Sequence, residues 1–305
     1  MLNKLSLILI FLTSLVCCAS NPNTHKYAEQ QSTPADVYYA PLPSSLDFAG
    51  ESVPLHYPDV QEALQREISV TMFMHSRSLL TLRSMERYFA IIEPMLKEAG
   101  IPSDFKYLAM AESGLSPEAI STAKAGGLWQ IMKGTAKHYD VETGDNIDLR
   151  FNIEVSTKAA IKYLKEAYSK FGNWTMVAAS YNLGMAGVQR RITAQKVNDY
   201  YSLFLPEETA RYVYRILAMK LVGENPQQYG FKLQEGDYLK PFENYTLEEI
   251  NSQNIVWSDF ALERGTNYKM LRLLNPWIRS YEYANKPGTT YTVKVPNKNF
   301  RDKGY

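Results

Sequence analysis

The sequence predicts a mainly α-helical fold closed by a small α+β module, and three observations carry that prediction. From 59 to 223 apolar residues recur at steps of three and four, and no stretch alternates like a strand. After Asn225 and Pro226 the composition changes, and residues 244 to 297 read as strand, helix, helix, strand. Between them, one carboxylate stands where the helical period calls for an apolar side chain. Phe105, Leu108 and Ala109 occupy offsets 0, 3 and 4 of one helix face, and offset 7 is Glu112.

The chain has 305 residues, room for one large domain or two smaller ones. Its formal net charge is +1 and it has no basic run, which argues against nucleic acid as the main partner. The 22 tyrosines suit sugar stacking and wet clefts, or reflect a compositional habit of the source. Lys4 precedes an apolar run from Leu5 to Val16, too short to span a bilayer and shaped like a secretory signal. Leu15, Val16, Cys17 and Cys18 resemble a bacterial lipobox. The resemblance implies a signal peptide over 1–18 and acylation of Cys18, with Cys17 as the alternative, so the membrane is an expected partner through a lipid anchor. An ordinary cleaved signal is the other reading. No cysteine is then left for a disulfide or a nucleophile. Residues 19–57 carry Pro22, Pro34, Pro41, Pro43 and Pro54 among polar residues and read as a flexible tether.

The helical domain is expected over 58–225. A helix from Asp59 buries Leu64, Ile68 and Met72, and a second carries Leu79, Leu82, Met85, Phe89, Ile92 and Leu96. Ser103 or Asp104 caps the helix that bears Glu112. Short helical pieces surround Thr135 to Tyr139, and a polar loop runs from Glu142 to Asp148. Asn152 to Phe171 is strongly amphipathic, with Ile153, Ala160, Leu164, Ala167 and Phe171 on one face. Trp174 to Tyr181 and Gly187 to Ala194 are shorter helices. The last opens at Pro206, Glu207 and Glu208, with proline in the first turn and acids at the positive helix end. The closing module is expected over 240–299, where Pro276 stops the second of two short helices.

A carboxylate on an apolar face must be paired, hydrogen-bonded or kept protonated. A salt-bridged or helix-end glutamate is the structural alternative, whereas a carboxyl held protonated near neutrality is what a general acid requires. Ser113 and Gly114 end the helix, and a small-residue loop leads to Gly126, Gly127, Leu128, Trp129 and Gln130. Two glycines permit close backbone approach, and an amide beside an aromatic suits a sugar cleft. Trp129 is expected in the core rather than on the cleft surface. Asp148 is the nearest candidate for a second acid, read as a structural cap or partner of Arg150. Glu118 is expected to be solvated. The four histidines have no ligand spacing, so no metal is implied.

Glu112-Ser113, Gly127-Leu128-Trp129-Gln130 and Tyr181-Asn182-Leu183-Gly184, in this order within a helical domain, resemble the lytic murein transglycosylases. Within that family they resemble the membrane-bound D type, with a lysozyme-like catalytic domain. The closing module resembles a LysM repeat, best over Leu273-Leu274-Asn275-Pro276 and the final strand, although the opening strand lacks the usual Gly-Asp turn. The resemblance implies non-hydrolytic cleavage of the MurNAc–GlcNAc β-1,4 bond of peptidoglycan, leaving 1,6-anhydroMurNAc ends. It implies no cofactor, a place in the bacterial envelope facing the periplasm, and other cell-wall enzymes as candidate partners. Glu112 would be acid and then base. Ser113, Ser121, Gly127, Gln130, Met132, Tyr181, Asn182 and Tyr212 would shape or contact the substrate groove. Two alternatives stay open: a hydrolytic muramidase of goose-lysozyme type, and a non-catalytic peptidoglycan-binding scaffold.

Overall fold

The computed structural model describes residues 39–251, 254–284 and 288–302. The signal peptide, the Cys17 and Cys18 anchor and residues 19–38 lie outside the described residues.

The helices are α1 (Pro58–Phe73), α2 (His75–Glu98), α3 (Phe105–Ser113), α4 (Lys133–His138), α5 (Ile153–Phe171), α6 (Trp174–Leu183), α7 (Met185–Gln195) and α8 (Glu207–Glu224). α8 is the central element. It packs on α1, α3 and α6, and Val213, Ile216 and Leu217 on it are fully buried. Local chemistry sets the ends of the others. Asn152 and Asn173 cap α5 and α6 by accepting from the N–H groups of Val155 (3.0 Å) and Met176 (2.8 Å). Gly114 ends α3 in the left-handed region, its N–H returning to the Met110 carbonyl at 2.9 Å.

Part of the expected tether is structured. Residues 47–48 (β1) and 51–52 (β2) form a small antiparallel hairpin, and Ala40, Phe48 and Val53 are buried in the helical core. Phe48 lies 5.3 Å from the Phe105 ring. The Glu51 carboxylate sits on the N-terminus of α6, accepting from the Thr175 N–H at 2.9 Å and the Thr175 hydroxyl at 2.6 Å. Two-residue strands are too short to show a period, which is why proline and polar content dominated the sequence reading here. Asp104 is not a side-chain cap of α3. Its carboxylate accepts instead from the Ala49 N–H and from Lys220, both at 2.8 Å, and so ties the hairpin to α3 and α8.

The helical core also extends past residue 225, because Tyr229, Phe231 and Leu233 are buried in it. The chain then crosses α2, where the Leu239 N–H donates to the Arg83 carbonyl at 2.7 Å. In the closing module β3 (Tyr245–Ile250) pairs antiparallel with β6 (Tyr291–Pro296), with Tyr245 opposite Pro296 and Ile250 opposite Tyr291. The helices α9 (Trp257–Glu263) and α10 (Tyr268–Leu274) lie between them in the chain. A second pair, β4 (Asn254–Val256) with β5 (Glu282–Ala284), adds to the expected strand–helix–helix–strand order.

The module does not stand apart from the helical domain. Ile147 and Phe151 of the helical domain share one core with Trp257, Leu271, Trp277, Ile278 and Val293. The backbone joins too. The Asp148 N–H donates to the Trp277 carbonyl at 3.0 Å and the Arg279 N–H to the Asn146 carbonyl at 2.8 Å. The seam therefore lies on residues 146–151, a stretch that reads in sequence as the end of a polar loop with Asp148 as a cap or partner of Arg150.

Candidate active site

Glu112 is the next-to-last residue of α3, and α8 lies alongside. The residue as a whole is half-buried, but its carboxyl group lies deep, and that burial is the main reason its pKa rises from 4.5 to about 7. Two groups pull the other way: the Tyr212 hydroxyl on α8, which donates a hydrogen bond to Oε1, and the charge of Arg215 one turn further along. The negative charge of Glu208 adds a smaller upward push. Among the described residues Tyr212 is the only hydrogen-bond partner of the carboxyl group, so Oε2 carries none. This is a carboxyl group with one oxygen anchored and one available.

Tyr212 is buried, with a hydroxyl pKa pushed well up by burial and then by the Glu112 charge. It therefore stays a donor. Arg215 is held on its other side by Glu67, 3.8 Å from Nε, while Arg211 binds the same buried Glu67 at 2.7 Å. Sequence reasoning missed Arg215. The signal was its place three residues after Tyr212, on the same face of α8.

The Gly-Leu-Trp-Gln segment forms a turn that cannot carry a side chain at Gly127. That residue has φ +79°, and a Cβ there would meet the Arg150 carbonyl oxygen at 1.9 Å. Trp129 is fully buried, as expected, and its indole N–H donates to the Thr157 hydroxyl at 2.8 Å. Gln130 takes a left-handed backbone conformation (φ 49°) unusual for a residue with a side chain. Its amide nitrogen donates to the carbonyls of Gly127 (2.7 Å) and Ala119 (3.1 Å), so its donors serve the turn and its amide oxygen is left for a ligand.

Arg150 braces this turn from behind. It is buried, paired with Asp148 at 2.7 Å, and donates to the carbonyls of Lys124 (2.8 Å) and Ile131 (3.0 Å). Asp148 thus is the structural partner expected from the sequence, and it also caps the short 3-10 turn at 149–151. Because Asp148 bonds to Trp277, the LysM-like module, the brace and the turn are one connected unit.

Tyr181 on α6 lies within electrostatic reach of Glu112, and burial is the larger cause of its raised pKa. Its hydroxyl donates to the Trp129 carbonyl at 2.9 Å. The ring packs edge-on against Tyr163, 5.1 Å away. Together with Gln130, Met132, Thr135 and Tyr139, these two tyrosines line a small pocket of about 70 Å³. Met132 is 44% exposed at its rim.

Asn182 accepts from the Thr209 hydroxyl at 2.6 Å and donates to Glu208 at 3.2 Å. It thereby fixes the carboxylate that acts on Glu112 through space. Glu208, rather than Asp148, is the second acid closest in effect to Glu112, and the sequence marked it only as a helix-opening charge. Two serines have local roles: Ser113 donates to the Ala109 carbonyl at 3.2 Å rather than to Glu112, and Ser121 accepts from the Ala125 N–H at 3.0 Å. Glu118 is exposed but not simply solvated, since Arg272 of the module holds it at 2.8 Å. Among the described residues no group of three His, Cys, Asp or Glu side chains could hold a metal.

Residues 89–204 match the transglycosylase SLT domain family. The match spans Glu112, Gln130 and Tyr181 but stops before Tyr212. Residues 248–299 match the soluble lytic transglycosylase C-terminal LysM-like domain. Over 320 aligned residues the chain is 29% identical to membrane-bound lytic murein transglycosylase D of Escherichia coli K12, covering 97% of this chain and 68% of the relative. Among solved structures it is similar to the 70 kDa soluble lytic transglycosylase of Escherichia coli, with TM-score 0.39 and 23% identity over 51% of this chain and 27% of that one. A lytic transglycosylase Slt from Pseudomonas aeruginosa gives TM-score 0.36 and 18% identity over 49% of this chain and 26% of that one. The chain thus spans about a quarter of the length of these solved structures.

Proposed function

We propose that the protein is a peptidoglycan lytic transglycosylase in which Glu112 is the sole acid–base group. Glu112, protonated, gives its proton from Oε2 to the glycosidic oxygen as the MurNAc–GlcNAc bond breaks. The substrate's own acetamido oxygen stabilises the cationic C1. The Glu112 carboxylate then takes the proton of the muramoyl O6 hydroxyl, and O6 closes onto C1 to give the 1,6-anhydro product. No water is consumed. The observation that carries this reading is the raised pKa of a carboxyl group with Oε1 held by Tyr212 and Oε2 unbonded. A group titrating near 7 exists in both forms at working pH. Gln130 and Asn182 are assigned to the walls of the groove, Tyr181 and Gly127 to its shape, and Met132, Ser113 and Ser121 to its margins.

The hydrolytic alternative has one observation in its favour. Glu208, fixed by Asn182, is a second carboxylate in the field of Glu112, and hydrolytic glycosidases use a pair. Mass spectrometry of digested sacculi separates the two: anhydro ends are lighter by one water than reducing ends. Reducing ends alone would overturn the lyase assignment, and intact sacculi would favour the binding scaffold.

The lipid anchor belongs to the same proposal. Among the described residues no helix is long and apolar enough to cross a membrane. Acylation at Cys18, or at Cys17, would hold the enzyme at the envelope membrane facing the periplasm, with the LysM-like module directed to the same peptidoglycan. Other cell-wall enzymes are its candidate partners there. Metabolic labelling with a fatty-acid probe, with Cys17 and Cys18 replaced singly, tests the site.

A further inference from the structure

Between the helical domain and the LysM-like module lies a cleft of about 530 Å³. One wall is the loop Ser116–Glu118 that follows the Glu112 helix; the other is α10, with Tyr268, Lys269 and Arg272. Its charge is one-sided. Arg87, Lys269 and Arg272 line it against a single carboxylate, Glu118. Glu118 is itself shared, with Arg272 at 2.8 Å and Arg279 at 3.6 Å. Lys269 is exposed and has no ion pair among the described residues. The crowding of positive charge registers on Arg279, whose pKa is lowered first by burial and then by Arg272. The chain as a whole carries only +1, so this surplus is local. Between low-dielectric walls it focuses a field that draws anions.

The cleft is not merely charged. Leu273 is 40% exposed on it, and the Tyr268 ring packs 4.8 Å from that of Tyr281. The matching ligand is an anion carried on a partly apolar peptide stem. Position agrees. Ser116 is four residues beyond Glu112, so their Cα atoms are at most about 14 Å apart. An extended stem of about four residues covers the same span, at roughly 3.3–3.6 Å per residue.

We propose that this cleft is a subsite for the carboxylate-bearing peptide stems of the glycan, so that the enzyme prefers strands that still carry them. The inference rests on the proposed peptidoglycan activity for its substrate class. It assigns Lys269 to recognition of a stem carboxylate, beside an Arg272 already engaged by Glu118 and the Pro276 carbonyl, and makes the module a specificity element of the cleavage reaction.

The test compares the full-length protein with Lys269→Glu, a change at an exposed residue on α10, on two substrates: glycan strands bearing stems, and the same strands after amidase removal of the stems. The expected result is a loss of about fivefold or more in kcat/KM on stem-bearing strands, shrinking with added salt, and no change on stripped strands. Binding of a free stem tetrapeptide, followed by NMR, should weaken in the same variant. Equal activity of parent and variant on both substrates, or equal loss on both, overturns the proposal. So does tetrapeptide binding that is absent from the parent or indifferent to Lys269, or selective binding to anionic lipid vesicles in its place. If the parent cleaves neither substrate yet binds the tetrapeptide through Lys269, the subsite stands and the lyase assignment falls.

Discussion

Glutamine at position 112 keeps the shape of the side chain and the oxygen that accepts from Tyr212, but removes its titration. In the folded protein the Glu112 carboxyl titrates at about 7 against an ordinary value of 4.5. The folded state therefore holds this proton more tightly than the unfolded chain, and folding is favoured by the group at acid pH. Between pH 4.5 and about 7 the folded protein binds more protons than the unfolded one, so stability falls as pH rises through that window and levels off above it. At 1.36 kcal/mol per pH unit, the gap corresponds to a cost of about 3 kcal/mol when the group is charged. Glu112→Gln should thus match the parent near pH 4 and exceed it near pH 8, by up to about 3 kcal/mol or a Tm gain on the order of 5 °C. Thermal unfolding of both proteins from pH 4 to 8, followed by circular dichroism, measures the difference. A stability gap that does not change with pH, or a variant less stable than its parent at pH 8, would refute the argument and make Glu112 a structural ion-pair member. Turnover of sacculi by the same variant should be lost at every pH.

Tyr212→Phe removes the donor to Oε1, so the Glu112 pKa should rise. The alkaline limb of the pH–activity profile then moves upward, with kcat falling by about tenfold, readable from sacculus digestion between pH 5 and 9. Arg150→Met leaves Asp148 as a buried, unpaired charge and should cost about 3–5 kcal/mol by denaturant unfolding. Arg150→Lys keeps the charge but loses part of the fork, and hydrogen exchange should report faster opening at the amides of Gly127 and Ile131. Gly127→Ala forces the Arg150 carbonyl away from a point 1.9 Å from the new methyl group, so activity should collapse even where circular dichroism shows retained helix. Glu51→Gln weakens the charged cap of α6 and should lower stability by about 1 kcal/mol at neutral pH.

Much of the helical domain was legible because its apolar faces repeat over three or more turns, as in α2 and α5. Glu112 was legible for the opposite reason, as a break in such a repeat. Contacts far apart in sequence were not. Nothing local to Glu51 says that it caps a helix 123 residues later, and nothing local to Asp104 says that Lys220 will claim its carboxylate. Residues 146–151 hide a double role for the same reason: Ile147 and Phe151 belong to the module's core, while Arg150 supports the turn before Gln130. The donor role of Tyr212 was half-visible. Its late-helix position pointed to the groove, but only packing of α8 against α3 brings its hydroxyl to Oε1. Tyr181 shows the limit from the other side, since its place in a motif did not reveal that its proton serves the Trp129 carbonyl.

A single carboxyl group that must give a proton and then take one back works best when neither form dominates. Burial alone would hold Glu112 protonated and make it a poor base. Tyr212 and Arg215 oppose that by favouring the charged form, and Glu208 offsets part of their effect. The balance near 7 arises from three elements meeting: α3 bears the acid, α8 brings Tyr212, Arg215 and Glu208, and the Asn182 end of α6 fixes Glu208. Since Arg150 is paired to Asp148 and Asp148 is bonded to the module at Trp277, the module seam is linked directly to the turn before Gln130. Changes in the seam should therefore alter substrate affinity and leave the pH of half-maximal activity where Glu112 sets it.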